Sequence, residues 1–111
     1  MKKDLRIRKN REYKRVYKYG KNYWNKHLIL YIMKNNLEVS RVGFTVTKKI
    51  GNAVTRNKVR RQMKEIYRLN YENIKSGYDL VFIPKKNVVN MPYSKLENSM
   101  IHIMNIAGIL K

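Results

Sequence analysis

Cysteine is absent from the chain, and acidic side chains are scarce, with seven Asp and Glu against 26 Lys and Arg in 111 residues. The missing thiols exclude disulfides, thiol catalysis and thiolate metal sites, and they fit a reducing cytoplasm. No apolar run approaches the ~20 residues that a membrane span needs. The basic start, "MKKDLRIRKNREYKR", also lacks the apolar stretch of a secretory signal. We therefore expect a cytoplasmic protein with no membrane partner.

The positive charge is unevenly distributed along the chain. Residues 1–69 carry 21 Lys and Arg against four acids, a net charge of +17, whereas residues 70–111 carry five against three, a net charge of +2. A charge that served solubility alone would be spread evenly, so this asymmetry favours a polyanionic partner. Hydrophobic residues still make up 43% of the chain, which is enough for a core. The length predicts a single domain over residues 1–111, and the excess of positive charge indicates that it is an RNA-binding domain.

The spacing of the hydrophobic residues changes several times along the chain, between the spacing typical of helices and that typical of strands. It predicts helices over 10–19, 51–70 and 93–110 and strands over 27–33, 41–47 and 78–84, with a further short strand near 23–26. Asn10 is the expected N-cap of the first helix and Gly20 its stop. The order of elements indicates an α+β fold, in which a small mixed or antiparallel sheet of about four strands packs with three helices.

The second predicted helix has two distinct faces. At 100° per residue its apolar side chains fall within about 100° of arc, and a polar group fills the neighbouring arc of about 100°. The residues in this polar arc are Asn57, Arg60, Arg61, Lys64 and Arg68. Arg56 lies within the apolar arc but begins the i,i+4 series of like charge that continues through Arg60, and we call all six residues the basic ridge. A solvated face is the alternative, but such faces usually mix charges of both signs. Here only Glu65 could pair, with Arg61 or Arg68, so the ridge favours phosphate binding.

The segment "TKKIGN" leads into this helix. Lys48 and Lys49 are expected to alternate across the strand end, and Gly51 to permit a tight turn. Backbone donors near Val54 to Asn57 could hold one more phosphate, because helix N-termini attract anions. The segment is not a nucleotide-binding loop of the G-x-x-x-x-G-K-[ST] kind.

Tyrosines interleave with the cations. Tyr13 and Tyr17 lie one helical turn apart, and Tyr31 alternates with the apolar side chains of a strand. Rings among cations can stack on unpaired bases, at roughly 1–3 kcal/mol per base. Core packing explains the tyrosines equally well when they are taken alone. Together with the basic ridge, however, they favour a cleft for single-stranded RNA.

A catalytic constellation is hard to build from the protein's own residues. His102 lies between two isoleucines and is expected to pack, while His27 is expected to cap a strand. No H-E-x-x-H motif or paired carboxylates appear, which counts against a metal-dependent nuclease acting alone. A ribosomal or rRNA-assembly protein remains the alternative RNA-binding interpretation, since it shares the charge but needs no aromatic cleft.

A resemblance to the protein subunit of bacterial ribonuclease P lies in residues 41–68, "RVGFTVTKKIGNAVTRNKVRRQMKEIYR", which include that family's arginine–asparagine-rich motif. Residues 7–20 resemble the family's first helix, and the similarity continues through "YDLVFIPK" to the last helix. It implies a partner, the catalytic ribonuclease P RNA, that removes the 5′ leader from precursor tRNA with Mg²⁺. It also implies a protein that supplies no catalytic group and binds no cofactor by itself. We expect the free protein to be a monomer.

The resemblance assigns roles to the two groups of residues. It implies that the leader binds in a cleft between the sheet and the first helix, where Tyr13, Tyr17 and Tyr31 match the family's aromatic positions; Lys48 and Lys49 complete our predicted leader site. Many relatives carry phenylalanine at the first two positions. The positions that match the motif facing the RNA subunit are Arg56, Asn57, Lys58, Arg60, Arg61 and Lys64, and Arg68 extends the predicted surface. Lys58 replaces an arginine of some relatives, which weakens a bidentate contact there. The family fold further implies a left-handed strand–helix–strand crossover.

Overall fold

A computed structural model describes residues 5–111, and residues 1–4 at the head of the basic start lie outside that description. Within the described residues the helices and strands are, in chain order, α1 (Asn10–Tyr19), β1 (Lys21–Trp24), β2 (Leu28–Lys34), β3 (Arg41–Phe44), α2 (Ala53–Asn70), β4 (Tyr78–Pro84) and α3 (Tyr93–Ile106). Short 3₁₀ helices, Tyr71–Asn73 and Lys86–Val88, flank β4. The predicted α+β architecture is confirmed.

The strands form one mixed sheet in the order β1-β2-β4-β3. β2 pairs antiparallel with both β1 and β4, whereas β3 lies parallel to β4. Parallel neighbours need a crossover connection, and α2 supplies it between β3 and β4. The outer edge of β3 is covered by the segment before α1, because Ile7 N–H donates to the Val42 carbonyl (2.8 Å) and Val42 N–H to that of Leu5 (2.9 Å).

The two faces of the sheet are covered very differently. Helices α2 and α3 pack on what we call the closed face, where Leu30, Leu80 and Phe82 are fully buried in the main core. Helix α1 crosses the other side, which we call the open face. Its buried cluster is small and is built on Ile7, Val16 and Val81, all nearly inaccessible to solvent; partly buried side chains surround it. The open face therefore keeps accessible surface beside α1.

Strand β3 is shorter than predicted, ending at Phe44 instead of residue 47. Thr45 N–H still donates to the Phe82 carbonyl (2.9 Å). The next bond of a parallel ladder would need a donor from Pro84, which has no N–H, so pairing stops there. The chain then turns, with Ile50 N–H donating to the Thr47 carbonyl (3.0 Å).

The helix ends also differ from the predicted ones. The N-cap of α1 is Lys9, not Asn10, and Glu12 closes the first turn by accepting from the Lys9 N–H at 3.2 Å. Gly20 does end α1, but at a φ of −79° and not in the left-handed region. A Cβ there would lie 2.5 Å from the Val16 carbonyl oxygen and 2.7 Å from that of Ile32, so close packing on β2 explains this glycine. Helix α3 ends at Ile106, four residues early, because the chain reverses at Gly108 (φ 73°).

Within residues 5–111, no helix is long and apolar enough to cross a membrane.

Candidate nucleic-acid interface

An ion-pair network fastens α1 to the sheet. Arg41 on β3 donates from Nη1 to Glu12 Oε2 on α1 (2.8 Å) and from Nη2 to Asp79 Oδ2 on β4 (2.7 Å), while its Nε donates to Asp79 Oδ1 (2.9 Å). Asp79 is 2% exposed and also accepts from Asn35 Nδ2 at 3.0 Å. The hydrogen bond from Arg41 is the main cause that lowers the pKa of Glu12 to about 2. Charge pairing thus compensates for the small apolar contact under α1.

Tyr13 lies directly on the backbone of β3. Its ring takes the space that a side chain would fill at Gly43, where a Cβ would lie 2.5 Å from the tyrosine oxygen. The hydroxyl donates to the Ile7 carbonyl (3.2 Å), and burial raises the pKa of Tyr13. This ring is therefore partly enclosed, and its position requires glycine opposite it.

Tyr17 and Tyr31 meet edge to face on the open side of the sheet. Their ring centroids are 5.1 Å apart with an interplanar angle of 75°. The Tyr17 hydroxyl shares a hydrogen bond with Thr45 Oγ1, and the Tyr17 side chain remains 36% exposed. The structure thus brings the three predicted tyrosines together, and of these Tyr17 offers the most accessible ring.

A groove of about 600 Å³ extends the open face beyond these rings. Ile29 and Ile83 form its apolar floor, and Lys49 and Lys85 stand at its walls. Lys48 is exposed in the same turn but does not line this groove. The predicted alternation of the two lysines across a strand end was wrong, because the strand has already ended and both lie in the turn after it.

The basic ridge is mounted on α2 as predicted. The buried side of the helix carries Val59, Met63, Ile66 and Tyr67, which leaves the ridge facing outward. Arg60 and Lys64 line a pocket of about 290 Å³ together with Tyr13 and Gly43. Arg60 also lines the shallow depression beside Tyr17 and Thr45. Arg60 therefore joins the ridge to the aromatic side chains in one continuous surface.

The side chains of the basic ridge differ in whether they already make hydrogen bonds or ion pairs within the protein. Arg56 Nη1 donates to the Gly51 carbonyl (2.9 Å), and Arg60 Nη1 to Asn57 Oδ1 (2.9 Å). Arg68 makes a two-bond contact with Glu65, at 2.5 Å and 3.2 Å, which lowers the pKa of Glu65. Three further predicted contacts are exposed to solvent: Lys58, Arg61 and Lys64. Only at Arg68 does a described carboxylate neutralise the ridge.

The predicted phosphate site at the start of α2 is already partly occupied by the protein. The Asn52 side chain accepts from the Thr55 N–H (2.9 Å), and the Arg56 N–H donates to the Asn52 carbonyl (2.9 Å). Two of the expected donors are therefore engaged within the helix. Gly51 adopts a φ of 148°, so the predicted tight turn does need glycine.

Neither histidine is part of this surface. His27 lies immediately before β2 and caps that strand as expected, its carbonyl accepting from Lys85 N–H (2.9 Å). His102 was predicted to pack in the core, but it is exposed and its Nδ1 lies 3.3 Å from Asn25 Nδ2, because the buried side of α3 faces away from it. Within residues 5–111, no three His, Asp or Glu side chains are grouped so that they could hold a metal ion.

Sequence reasoning missed several residues that build the interface. Arg41 was not singled out, because its partners lie 29 and 38 residues away. Gly43 carried a signal, since glycine inside a strand often marks a close approach of another group. Trp24, at the sheet edge, was also overlooked although it is the only tryptophan of the chain.

Comparison with known proteins agrees with this geometry. The Ribonuclease P family model matches residues 1–108. The Ribonuclease P protein component of Clostridium novyi is 48% identical, with 98% of each chain covered. The 2.0 Å structure of the Staphylococcus aureus RNase P protein superimposes with a TM-score of 0.91 at 32% identity, covering 98% of this chain and 100% of that one. A Staphylococcus aureus RNase P protein mutant described as having defective mRNA degradation activity gives a TM-score of 0.90 at 32% identity, covering 96% and 90%. These matches favour ribonuclease P over the ribosomal alternative, and the chain belongs to the ribonuclease P protein family.

Proposed function

We propose that this protein holds the unpaired 5′ leader of precursor tRNA on its open face while the basic ridge contacts the ribonuclease P RNA. The observation that carries the proposal is the continuity of the surface: Arg60 lies beside both Tyr13 and Tyr17, so one strand can pass from cations to rings. Bases can stack on an exposed ring while neighbouring cations bind the phosphates. The ribonuclease P family name supports the RNA partner.

Within this surface we assign the main stacking role to Tyr17. Its ring is 36% exposed, and its hydroxyl is bound to Thr45, so the ring is fixed at little further entropic cost on binding. Tyr13 acts mainly by shaping the floor, because its hydroxyl is bound to Ile7 and its ring is seated on Gly43. Tyr31 supports Tyr17 from the side. Among the cations, Lys49 faces the groove, and Lys48 is exposed in the same turn.

We propose that the RNA, and not the protein, performs the cleavage. A general acid or base works best with a pKa near the operating pH. The carboxylates beside the interface are instead held ionised by arginines: Glu12 has a pKa of about 2, and the pKa of Glu65 is lowered by Arg68. These arginine-paired carboxylates do not fit as ligands for Mg²⁺, so we assign the particle's Mg²⁺ requirement to the RNA.

Reconstitution tests this division of labour. We expect the purified protein alone to leave precursor tRNA intact, and cleavage to appear when ribonuclease P RNA and Mg²⁺ are added. The RNA-free arm should also include an unstructured mRNA, since a related protein is described as a mutant with defective mRNA degradation activity. Robust cleavage of either substrate by RNA-free protein would overturn the proposal.

A pair of substrates tests the leader site. In the assembled particle we expect Tyr17→Ala to weaken binding of precursor tRNA about five- to tenfold, since stacking on one base is lost. Binding of mature tRNA, which lacks a leader, should not change. Tyr19→Ala is the control, because Tyr19 is 66% exposed but lies about 160° around α1 from Tyr17. If Tyr17→Ala weakens both substrates equally, the stacking role fails.

We propose further that the free protein is a cytoplasmic monomer. Its net charge of +19 opposes self-association, and the absence of cysteine fits a reducing compartment. Sedimentation at increasing protein concentration tests the first statement: a mass above 13.4 kDa that grows with concentration would contradict it.

A further inference from the structure

Trp24 occupies an unusual position at the edge of the open face. It is the chain's only tryptophan, it lies on edge strand β1, and it is 56% exposed. Its cross-strand partner is Ile29, which in turn pairs with Ile83 on β4. Partners in register point to the same side of a sheet. Trp24 therefore continues the row formed by the two isoleucines on the groove floor.

Two polar contacts hold the indole without covering it. Its Nε1–H donates to Asn22 Oδ1 on the same strand (2.9 Å). The Lys85 ammonium lies 5.0 Å from the ring centroid and donates to the Asn25 carbonyl (2.7 Å). A cation over an indole is attracted by the ring's electron-rich face. The ring is thus oriented in advance but remains accessible, which is the state that favours stacking of an incoming group.

The position of Trp24 relative to the proposed leader site gives it a role. Neighbouring strands are 4.7–4.9 Å apart, so the three intervals from β1 to β3 put Trp24 about 14 Å across the sheet from Thr45, where Tyr17 is bound. The groove that runs from Ile29, the cross-strand partner of Trp24, to the turn after β3 has an apolar floor and three lysines, Lys49, Lys85 and Lys86, at its walls. An unpaired polynucleotide fits this groove, because its bases can pack on the apolar floor while its phosphates bind the lysines.

We propose that Trp24 is a second base-stacking position, which binds a nucleotide of the unpaired leader at the β1 edge of the open face. Lys85 positions the indole and contributes charge next to it. This inference rests on the proposed function, because it assumes that the strand lies on the open face. It extends the proposed leader site across the sheet to β1, so that longer leaders gain an additional contact that shorter ones cannot make.

The fluorescence of the unmodified protein gives a first test. Since Trp24 is the sole indole, emission excited where tyrosine does not absorb reports on this ring alone. We expect a single-stranded oligouridylate to quench it when added to the full chain at low salt. Polyphosphate is the matched control, because it binds cations but has no bases to stack, and it should quench far less. Equal quenching by the two polyanions, or none by bound oligouridylate, would overturn the proposal.

Affinities in the assembled particle give the second test. We compare a series of precursor tRNAs in which each leader is one nucleotide longer than the one before. We expect wild-type affinity to rise about five- to tenfold at the length that reaches Trp24, and Trp24→Ala to remove this rise while leaving the shortest leaders unaffected. Trp24→Phe, which keeps a ring, should retain most of it. A rise that persists in Trp24→Ala refutes the second position.

Tyr17→Ala separates this inference from the proposed function. If Tyr17→Ala weakens leader binding at every length and Trp24→Ala at none, the leader lies on the open face but does not reach β1. If neither substitution affects leader binding, the open face is not the leader site and both proposals fail.

Discussion

The two faces of one four-stranded sheet are built on different physical principles. On the closed face, α2 and α3 bury a continuous apolar core that includes Phe82 and Tyr67. On the open face, the buried apolar cluster of the described residues is built on Ile7, Val16 and Val81, and α1 is held by the Arg41 network. The hydrophobic effect grows with the apolar area removed from water, so most of the folding free energy comes from the closed face.

This difference explains how a small domain keeps one face of its sheet accessible for binding. A binding face that relied on apolar burial would have to cover the surface that bases are proposed to stack on. Fixing α1 through Arg41, Glu12 and Asp79 leaves Tyr17 and the groove accessible. The cost of burying the Asp79 carboxylate is offset by hydrogen bonds from Arg41 and Asn35.

The largest effect should come from the closed face. Phe82 and Ile83 are neighbours on β4 that point to opposite sides of the sheet, so they form a matched pair. We expect Phe82→Ala to lower the free energy of unfolding by about 3–5 kcal/mol, because the ring is fully buried. Ile83→Ala should cost only about 1 kcal/mol, since the side chain is partly exposed, but should weaken leader binding. Urea unfolding measures both; equal losses would contradict the contrast between the faces.

The next effect should come from the ion-pair network. Arg41→Ala leaves Asp79, which is 2% exposed, without its cation, and we expect a loss of about 3 kcal/mol in unfolding free energy, the lower end for a buried pair because Arg41 is 23% exposed. Glu12→Gln should cost less, because Glu12 is closer to solvent and Asp79 keeps its partner. Leader binding should fall with Arg41→Ala as α1 loosens. Retained stability together with unchanged leader binding would show that apolar contacts alone hold α1.

The same network predicts a pH dependence. The pKa of Glu12 is about 2 in the folded protein against an ordinary value of 4.5, so its ionised form stabilises the fold. That contribution is complete above pH 4.5 and is lost as the pH falls toward 2. We therefore expect the difference in unfolding free energy between the wild type and Glu12→Gln to shrink across this range. A difference that stays constant would remove Glu12 from the network.

A smaller effect is expected where α1 touches β3. Gly43→Ala introduces a Cβ that would meet the Tyr13 ring at 2.5–2.7 Å, so the ring must move. Overpacking of this kind typically costs about 1–3 kcal/mol, and the partly exposed ring can yield, so we expect the lower end. Tyr13→Ala with Gly43→Ala should recover part of the loss, because the clash is gone. Thermal unfolding of the single and double variants measures this coupling, and purely additive losses would refute the contact.

The fold was predictable where the local pattern was unambiguous. The apolar run of β4 gave its bounds, residues 78–84, because a strand covered on both faces has little polar interruption. The end of β3 was not predictable from its own residues, since it depends on Pro84 of a strand that lies beside it only after folding. The same holds for Gly20, whose close contact with Ile32 needs the strand register.

The candidate interface was likewise predictable only where its contacts lie within one helix. Helical spacing alone placed Tyr13 and Tyr17 on one side of α1, and it indicated that Glu65 could pair with Arg68. It could not reveal that Arg41 on β3 joins side chains from two other elements, or that Trp24 lies in register with Ile29. Contacts within one helix follow from spacing, whereas contacts between strands need the register.

The smallest expected effect distinguishes the two ends of the basic ridge. Arg60 lies against the open face, whereas Arg68, at the far end, is paired with Glu65. Each phosphate contact contributes about 0.7–0.9 to the slope of log K against log salt concentration. We expect Arg60→Ala to reduce the slope for binding ribonuclease P RNA by about that amount, and Arg68→Ala by clearly less, because its charge is already balanced.

Glu65→Gln is the sharpest variant for this comparison, because it removes the carboxylate without touching a cation. The pair is exposed on both sides, 50% for Arg68 and 46% for Glu65, so breaking it should change the stability very little. If Arg68 faces the RNA, freeing it should steepen the salt dependence and increase affinity at low salt. If Glu65→Gln leaves the slope unchanged while Arg60→Ala lowers it, the RNA-binding surface ends before Arg68. A larger effect of Arg68→Ala than of Arg60→Ala would instead shift the RNA-binding surface away from the open face.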